Sequence, residues 1–339
     1  MSVIGEAVRA MAGKTLVLGL DVGGTTSRAL LATSDGQQRG AGRSAGGNPT
    51  VHNAVVAAAA VEAAVGEAMN GSDPEQLAAV TVGLAGGGKL TSVLEAGDAF
   101  GRMWERVGVD CQVSYVPDAL VAFAAGTPAK DGSVLLAGTG SISAAVRRGR
   151  VTAHGDGHGW LLGDRGSGFW LARQAAVAAL ADLDGPGPVT ALTQLVVESL
   201  FGTDSAPSAL DVILAVTART PSELADLAPL VTTACEAGDP VALRIAERAA
   251  ELLLATLSSV RSPGESTAIV LSGSVLTQDT PVATGVLRGV AELWPEAPVS
   301  QATDGAAGAA WLAIERLPGG ALPEARTRLF ADSAKASKT

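Results

Sequence analysis

Residues 15–26 read TLVLGLDVGGTT, an apolar run followed by an aspartate, two glycines and two threonines. The run Thr15–Leu20 is short and continuous, which is typical of a buried central strand. A second apolar stretch follows the glycines at Arg28–Thr33, and a weaker one lies around Gln37–Arg43. Short strands joined by tight turns predict an antiparallel meander at the start of the fold.

The rest of the chain continues with alternating helices and strands and then a second set of three strands. After the meander, the pattern predicts helices and strands in alternation at about Val51–Met69, Leu77–Leu84, Ser92–Val107 and Gln112–Val116. Three further strands with glycine turns are predicted at Ser133–Ala137, Ile142–Arg147 and Arg150–Ala153. Helices dominate from Ser167 to Ser262, before strand Thr267–Ser272 and helices Pro281–Leu293 and Asp304–Arg316. The second half therefore resembles the first with helices inserted.

Composition and charge narrow the class of protein. The chain has 339 residues, of which 47% are hydrophobic and 17% charged, so it has material for more than one core and is not a disordered chain. Its formal net charge of −10 and the lack of a basic run exclude nucleic acid and anionic membranes as main partners. Two cysteines exclude a disulfide framework and a cysteine-rich zinc site. No apolar window is long enough to span a membrane, so we expect a cytoplasmic protein.

The first candidate site is the segment Asp21-Val22-Gly23-Gly24-Thr25. Glycine tolerates positive φ and lets another group approach the backbone, so this turn would expose successive N–H donors to phosphate oxygens. The Thr25 hydroxyl adds a donor, and the Asp21 carboxylate suits a water molecule on Mg²⁺. An ordinary hairpin turn is the alternative interpretation of the same residues.

A second glycine loop, Gly138-Thr139-Gly140-Ser141, also lies between two apolar strands. Taken alone it is equally compatible with a simple turn. At the matching point of a repeated three-strand unit, however, two such hairpins would hold a triphosphate from both sides of a cleft. The chain has no Gly-x-x-x-x-Gly-Lys-Ser/Thr motif, which excludes a P-loop.

Asp118 follows the strand Gln112–Val116 and opens a helix. A carboxylate at this edge of a strand is suited to act as a general base that takes the proton from a hydroxyl attacking the γ-phosphate. A simple helix N-cap is the alternative interpretation, and the two roles are compatible.

The stretch His154–Trp170 contains two Trp, two His and six Gly in seventeen residues. Such a loop is suited to bind a polar ring, with Asp and main-chain groups bonding its hydroxyls and an aromatic side chain covering its apolar face. The glycines between His154 and His158 deny these residues a common helix face, which argues against a metal site. Later, Ser272-Gly273-Ser274 and Gly305–Ala310 supply small residues that would leave a slot for a flat base, with tight helix packing as the alternative.

In this order, these segments resemble the sugar kinase, actin and heat-shock ATPase superfamily. The closer resemblance is to the N-acetylglucosamine kinase family, which includes ATPase activators of acyl-CoA reductases and dehydratases. It covers roughly residues 15–316, and its most specific segment is Leu162–Gly168, LGDRGSG. The resemblance implies an α/β fold of two RNase H-like (actin-like ATPase) domains. Each would be a mixed five-stranded sheet flanked by helices, with a cleft between the domains and extra helices in the second. The expected division is 1–118, 119–318 and a tail, 319–339, that packs on the first domain or frays.

The resemblance implies that Thr25, Thr139 and Gly273 contact ATP and that Asn48, Asp118 and Asp164 bind the sugar. The other site residues are predicted from the residues of the loops themselves. ATP and Mg²⁺ would bind at the two glycine loops and the late Gly-Ser turn: Asp21 (through water on Mg²⁺), Gly23, Gly24, Thr25, Gly138, Thr139, Gly140, Ser141, Gly273 and Ser274. An amino sugar would bind at Asn48, Asp118, Asp156, Gly157, His158 and Asp164, with Asp118 as catalytic base on the 6-hydroxyl.

The chain departs from the family pattern in the sugar loop. His158 stands where the family commonly has Trp, and Arg165 replaces the usual Glu. Because Asp156 adds a carboxylate that would attract an ammonium group, we expect a glucosamine kinase that forms glucosamine 6-phosphate. N-acetylglucosamine kinase activity is the alternative.

Two other classes of protein fit the sequence less well, and the sequence leaves open whether the chain forms a homodimer. An ATPase activator of a redox enzyme needs cysteines that ligate an iron–sulfur cluster, and neither Cys111 nor Cys235 stands in a pattern typical of a ligand. A sugar-sensing regulator would carry a DNA-binding segment ahead of the fold, and only about fourteen residues precede Thr15–Leu20.

Overall fold

The computed structural model describes residues 15–84, 94–318 and 320–331. The strands are β1 (Leu16–Val22), β2 (Thr26–Thr33), β3 (Gln38–Ala45), β4 (Leu77–Leu84), β5 (Val113–Pro117), β6 (Gly132–Ala137), β7 (Ser141–Arg147), β8 (Arg150–Asp156), β9 (Ala268–Ser272) and β10 (Val299–Gln301). The helices are α1 (Ala54–Met69), α2 (Leu94–Val107), α3 (Asp118–Gly126), α4 (Gly168–Leu183), α5 (Ala191–Phe201), α6 (Ala209–Thr217), α7 (Pro221–Ala225), α8 (Pro229–Glu236), α9 (Pro240–Ser258), α10 (Ser274–Thr277), α11 (Pro281–Leu293), α12 (Gly305–Glu315) and α13 (Pro323–Ala331).

The chain folds as two compact units, divided after Lys130 and after Gln301. Unit 1 comprises the described residues up to Lys130 and from Ala302 onward, and unit 2 comprises Asp131–Gln301. Within the described residues, no helix combines the length and apolarity needed to cross a membrane.

Unit 1 is built on a five-stranded sheet in the order β3-β2-β1-β4-β5. Strands β1, β2 and β3 pair antiparallel, while β1, β4 and β5 run parallel. Alternate residues of β1 point to opposite faces of the sheet. Leu18 and Leu20 therefore join a core with α1 and α2, in which Phe100 and Met103 are fully buried.

Helix α12 packs closely on the other face of this sheet. A side chain at Gly19 of β1 would overlap the backbone of Ala306 and Ala310, so only glycine permits the contact. Gly308, further along α12, lies in the same way against the backbone of α3, where a side chain would overlap the Val121 carbonyl. The small residues from Gly305 to Ala310 thus hold α3, α12 and the sheet together.

Unit 2 has the matching sheet, in the order β10-β9-β6-β7-β8. Strands β6, β7 and β8 form the antiparallel meander, and β6, β9 and β10 run parallel. Its core is formed mainly by alanine, valine and leucine side chains of α4, α5, α9 and α11 packed on β6 and β9.

Two mixed five-stranded sheets flanked by helices confirm the predicted fold class. The strand β10 was not predicted, because three residues that are mostly exposed carry no apolar pattern. The predicted start of the second helix at Ser92 lies outside the described residues.

The two units differ from the division expected from the sequence. Unit 1 extends to Lys130 rather than ending at Asp118, because α3 packs on α12 of the same unit. Residues 302–318, expected in the second domain, belong to unit 1 for the same reason. The described part of the tail forms α13, and Ala325 and Leu329 of this helix are fully buried in unit 1.

Candidate active site

Two carboxylates lie at the same edge of the unit 1 sheet. Asp21 is the sixth residue of β1 and Asp118 directly follows β5. In the parallel register Asp21 is opposite Gly83 of β4, and Gly83 is opposite Val116 of β5. In open α/β sheets, ligands bind at the carboxyl ends of the parallel strands. The structure thus brings together the residues that the sequence predicted as base and magnesium partner.

A third carboxylate, Asp304, joins this edge and was not predicted as a site residue. It is the N-cap of α12, where it accepts hydrogen bonds from the N–H groups of Ala306 (2.9 Å) and Ala307 (3.2 Å). The next residue, Gly305, lies directly against the Asp21 carboxylate. Two helix N-termini, those of α3 and α12, therefore open beside the carboxylates, and their dipoles favour negative charge there.

Two of these carboxylates, Asp21 and Asp118, have raised pKa values. The pKa of Asp21 is raised to about 6, chiefly by burial and then by the charge of Asp118; Asp304 also raises it, and the charge of Arg28 lowers it. Arg28 is the cross-strand partner of Asp21 in β2, so it lies on the same face of the sheet. Burial also raises the pKa of the Asp118 carboxyl, against the lowering effect of the Ala119 N–H that donates to its Oδ1 at 2.8 Å. A carboxylate with a raised pKa is a better proton acceptor near neutral pH.

The β1–β2 turn is an ordinary hairpin closed by a bond from the Gly23 N–H to the Thr26 carbonyl, 2.9 Å. Neither Gly23 nor Gly24 adopts positive φ, so the expectation that this turn uses glycine's freedom of φ is wrong. The glycine requirement lies instead at Gly46, where a side chain would overlap the Gly24 carbonyl.

The segment that carries Asn48 packs on this turn. Asn48 is buried, and its Oδ1 accepts hydrogen bonds from the N–H and the hydroxyl of Thr50, both at 2.9 Å. His52, which sequence reasoning missed, places its Nε2 2.7 Å from the Gly24 carbonyl oxygen. The predicted sugar residue Asn48 therefore lies on a segment tied directly to the predicted phosphate turn.

In unit 2, several polar groups of the second glycine loop already form hydrogen bonds with other groups of the protein. The Ser141 N–H donates to Asp164 Oδ1 at 3.1 Å, and the Ser141 hydroxyl donates to the Arg165 carbonyl at 3.0 Å. The Gly138 N–H donates to the Gly140 carbonyl at 2.9 Å. Among the predicted donors of this loop, the N–H groups of Thr139 and Gly140 and the Thr139 hydroxyl take no part in these bonds.

Asp156 shapes the following loop. Its Oδ1 accepts from the Asp164 N–H at 2.9 Å and its Oδ2 from the Arg165 N–H at 3.0 Å, with only 6% of the side chain exposed. Asp156 and Asp164 both have positive φ, at 58° and 54°. This conformation is costly for residues other than glycine and persists where surrounding bonds enforce it. The Asp156 carboxylate is therefore engaged by two backbone N–H groups, and its expected role in attracting an ammonium group stays a prediction.

The same loop presents one carboxylate and an apolar surface. The pKa of Asp164 is raised, chiefly by burial and also by the charge of Asp156. The hydrogen bond from the Ser141 N–H and the charge of His158 oppose this increase. Trp160, Leu161 and Leu162 are 51%, 73% and 80% exposed. The Trp160 ring packs edge-on against Phe169, with centroids 5.6 Å apart. Gly157 and His158, predicted to contact the substrate, lie in this loop, and the His158 side chain is 65% exposed.

Gly273 joins the late turn to the second glycine loop. It has φ of 86° as the N-cap of α10, and a side chain there would overlap the Ala137 carbonyl and the Gly138 nitrogen. Only glycine satisfies both conditions. The predicted ATP residues Gly138 and Gly273 are therefore neighbours, with Ser274 beginning the short helix.

Within 15–84, 94–318 and 320–331, no three His, Cys, Asp or Glu side chains are grouped so as to hold a metal ion. Mg²⁺ in nucleotide sites is held through one or two carboxylates, water molecules and substrate phosphates. The carboxylates of Asp21 and Asp304 have the oxygen chemistry for this mode of binding.

Several known proteins are similar to this chain in sequence or in fold. An N-acetyl-D-glucosamine kinase from Dictyostelium discoideum is 29% identical over 320 residues, which cover 89% of this chain and 98% of the relative. A glucosamine kinase from Vibrio cholerae is 25% identical over 260 residues, covering 76% and 84%. The crystal structure of a candidate N-acetylglucosamine kinase from Chromobacterium violaceum matches with a TM-score of 0.73 at 24% identity, covering 88% and 99%. The family model for the BadF/BadG/BcrA/BcrD ATPases matches residues 18–313, and the chain belongs to this family.

Proposed function

We propose that the protein is an ATP-dependent amino sugar kinase that transfers the γ-phosphate to the 6-hydroxyl of a hexosamine. The observation that carries the proposal is Asp118, a carboxylate with a raised pKa at the end of a parallel strand and the start of a helix. In this role Asp118 accepts the hydroxyl proton while the oxygen attacks the γ-phosphorus.

Each unit by itself has residues with proposed roles. In unit 1, Asp21 and Asp304 would hold the water molecules of Mg²⁺, which neutralises phosphate charge, and Asn48 would bind the sugar. In unit 2, the free donors of Thr139 and Gly140 would bind phosphate oxygens, and Gly273 would contact ATP. Asp164 would accept a hydrogen bond from a sugar hydroxyl. Ser141 would act indirectly, since its donors already hold Asp164 and Arg165.

The substituent on the sugar nitrogen distinguishes N-acetylglucosamine, which carries an acetyl group, from glucosamine, which carries an ammonium group. The exposed groups of the unit 2 loop are apolar at Trp160, Leu161 and Leu162, and Arg165 is also exposed. An apolar surface favours an acetyl methyl group, and a cation disfavours an ammonium group. Because Asp156 is engaged by backbone N–H groups, we propose N-acetylglucosamine as the preferred substrate, with glucosamine second.

A coupled assay that measures ADP release with N-acetylglucosamine, glucosamine and glucose tests both levels of the proposal. The expected order of kcat/KM is N-acetylglucosamine, then glucosamine, then glucose. Absence of phosphate transfer to all three sugars would overturn the kinase assignment. A higher kcat/KM for glucosamine than for N-acetylglucosamine would overturn only the acetyl preference.

The alternative of an ATPase activator finds less support. Cys111 packs against the unit 1 core and Cys235 is buried in the unit 2 core. Burial raises the pKa of both thiols, which disfavours the thiolate form that ligates iron.

A further inference from the structure

The C-terminal helix α13 is an integral part of unit 1. Ala325 and Leu329 are fully buried, and the Ala325 carbonyl lies against Gly36 in the β2–β3 turn. Gln38 donates from Nε2 to the Leu329 carbonyl at 2.7 Å, and Arg328 pairs with Asp35 at 2.8 Å. One side of α13 is therefore fixed to the β2–β3 turn.

Arg326 of α13 reaches the C-terminal end of α3. The last four carbonyls of a helix have no partner within the helix. The Thr127 N–H donates to the Phe123 carbonyl at 3.1 Å. Arg326 donates to the next two carbonyls, from Nη1 to Ala124 at 2.7 Å and from Nη2 to Ala125 at 3.5 Å. A cation at this end of the helix also has a favourable interaction with its dipole.

The same guanidinium contacts α12. Its central carbon lies 5.6 Å from the ring centroid of Trp311 in α12 and 4.5 Å from that of Phe330 in α13. Helices α3 and α12 already touch at Gly308. Arg326 thus joins two helices whose N-terminal ends carry Asp118 and Asp304.

We propose that Arg326 is a positioning residue for catalysis, which holds α3 and α12 against each other and so fixes Asp118 relative to Asp21 and Asp304. The inference rests on the proposed kinase function. Helix α3 has nine residues, of which Ala119 to Ala125 are all buried, so it moves as one rigid element. A displacement at its C-terminal end is then transmitted to Asp118, and a shift of about 1 Å at a reacting group lowers the rate on the order of 10²-fold.

The test compares Arg326→Gln and Arg326→Lys with Arg328→Gln, a control on the same helix that removes the exposed pair with Asp35. Arg326→Gln is expected to lower kcat by about tenfold to a hundredfold while each KM stays within about twofold. Arg326→Lys should restore part of kcat, because it keeps the charge but not the planar stacking. Arg328→Gln should leave kcat unchanged.

A second readout does not depend on activity. Hydrogen exchange of the peptide that contains Asp118–Gly126, measured without substrates, should accelerate in Arg326→Gln and not in Arg328→Gln. Wild-type kcat together with wild-type exchange in folded Arg326→Gln would overturn the proposal, as would equal losses of kcat in the two Gln variants. If wild-type protein phosphorylates no sugar, the kinase assignment fails, and the exchange comparison alone then decides whether Arg326 holds α3.

Discussion

The Asp21 carboxylate lies directly against the backbone of Gly305, at a point where any side chain on residue 305 would overlap it. The end of β1 and the first turn of α12 are therefore packed together at the proposed phosphate edge. This contact explains the glycine at the start of α12 without requiring it to form a nucleotide slot.

Gly305→Ala should displace Asp21 and lower kcat on the order of 10²-fold, because catalytic groups tolerate little misplacement. Steady-state kinetics with saturating ATP and sugar measures the effect. Gly66→Ala is the matched control, since Gly66 is an exposed residue within α1 with open space around it. That change should stabilise the protein by about 0.5–1 kcal/mol and leave kcat unchanged. Equal kcat in the two variants would show that the Gly305 contact does not position Asp21.

The raised pKa of Asp21 predicts how stability depends on pH. The folded state resists ionising this group, so an ionised Asp21 destabilises the fold by about 3 kcal/mol once the pH exceeds both 3.8 and about 6. Asp21→Asn removes that cost. Its free energy of unfolding should exceed that of wild type at pH 8, and the difference should decline as the pH falls through 6 and vanish below 4. Urea unfolding at pH 4 and pH 8 measures this. Asp98→Asn, on the exposed face of α2, provides the control, and an identical pH response in both variants would contradict the prediction.

Asp156→Ala tests whether this carboxylate shapes the loop or contacts the sugar. Loss of its bonds to the Asp164 and Arg165 N–H groups should loosen the loop and raise the sugar KM by about tenfold, since each backbone bond to a charged group contributes about 1.5–3 kcal/mol. The KM values for glucosamine and N-acetylglucosamine should rise together. His158→Ala, which removes an exposed side chain, should have a much smaller effect. If Asp156→Ala raised the KM for glucosamine but not the KM for N-acetylglucosamine, that result would support the ammonium-binding role expected from the sequence.

Gly273→Ala should raise the KM for ATP by about tenfold or more, because the new methyl group would overlap the Ala137 carbonyl and displace the adjacent loop. Gly238→Ala is the matched control: Gly238 has φ of 77° but open space around it. Both variants should lose about 1–2 kcal/mol from the strained φ alone. Only Gly273→Ala should affect the ATP KM, and a similar KM increase in both would assign the effect to general destabilisation.

Local sequence pattern was sufficient to predict the strands of the two sheets except β10. The apolar run Thr15–Leu20 and its glycine turn correspond to β1 and the hairpin that follows, and Asp21 and Asp118 lie at one sheet edge because parallel strands align their carboxyl ends. Periodicity could not reveal that α12 packs in unit 1, since this depends on close contacts of Gly19 and Gly308 with residues distant in sequence.

The roles of single polar groups were harder to predict. Asp156 and Ser141 look like ligand-binding residues in the sequence, but in the structure both bond other protein groups. The Asp156 carboxylate accepts from the Asp164 and Arg165 N–H groups, and Ser141 donates to the Asp164 carboxylate and the Arg165 carbonyl. His52 and Asp304 gave no sequence signal beyond a turn and an N-cap, because their significance comes from the Gly24 carbonyl and the Asp21 carboxylate that the fold places beside them.

The central claim is that Asp118 is the base that accepts a sugar hydroxyl proton. Its most direct test is Asp118→Asn, assayed for phosphate transfer to N-acetylglucosamine and, separately, for ATP affinity by calorimetry. We expect kcat to fall by about 10²-fold to 10⁴-fold, the usual contribution of a general base, while the ATP dissociation constant stays within about twofold. An Asp118→Asn protein that transfers phosphate at the wild-type rate would contradict the proposed role of Asp118.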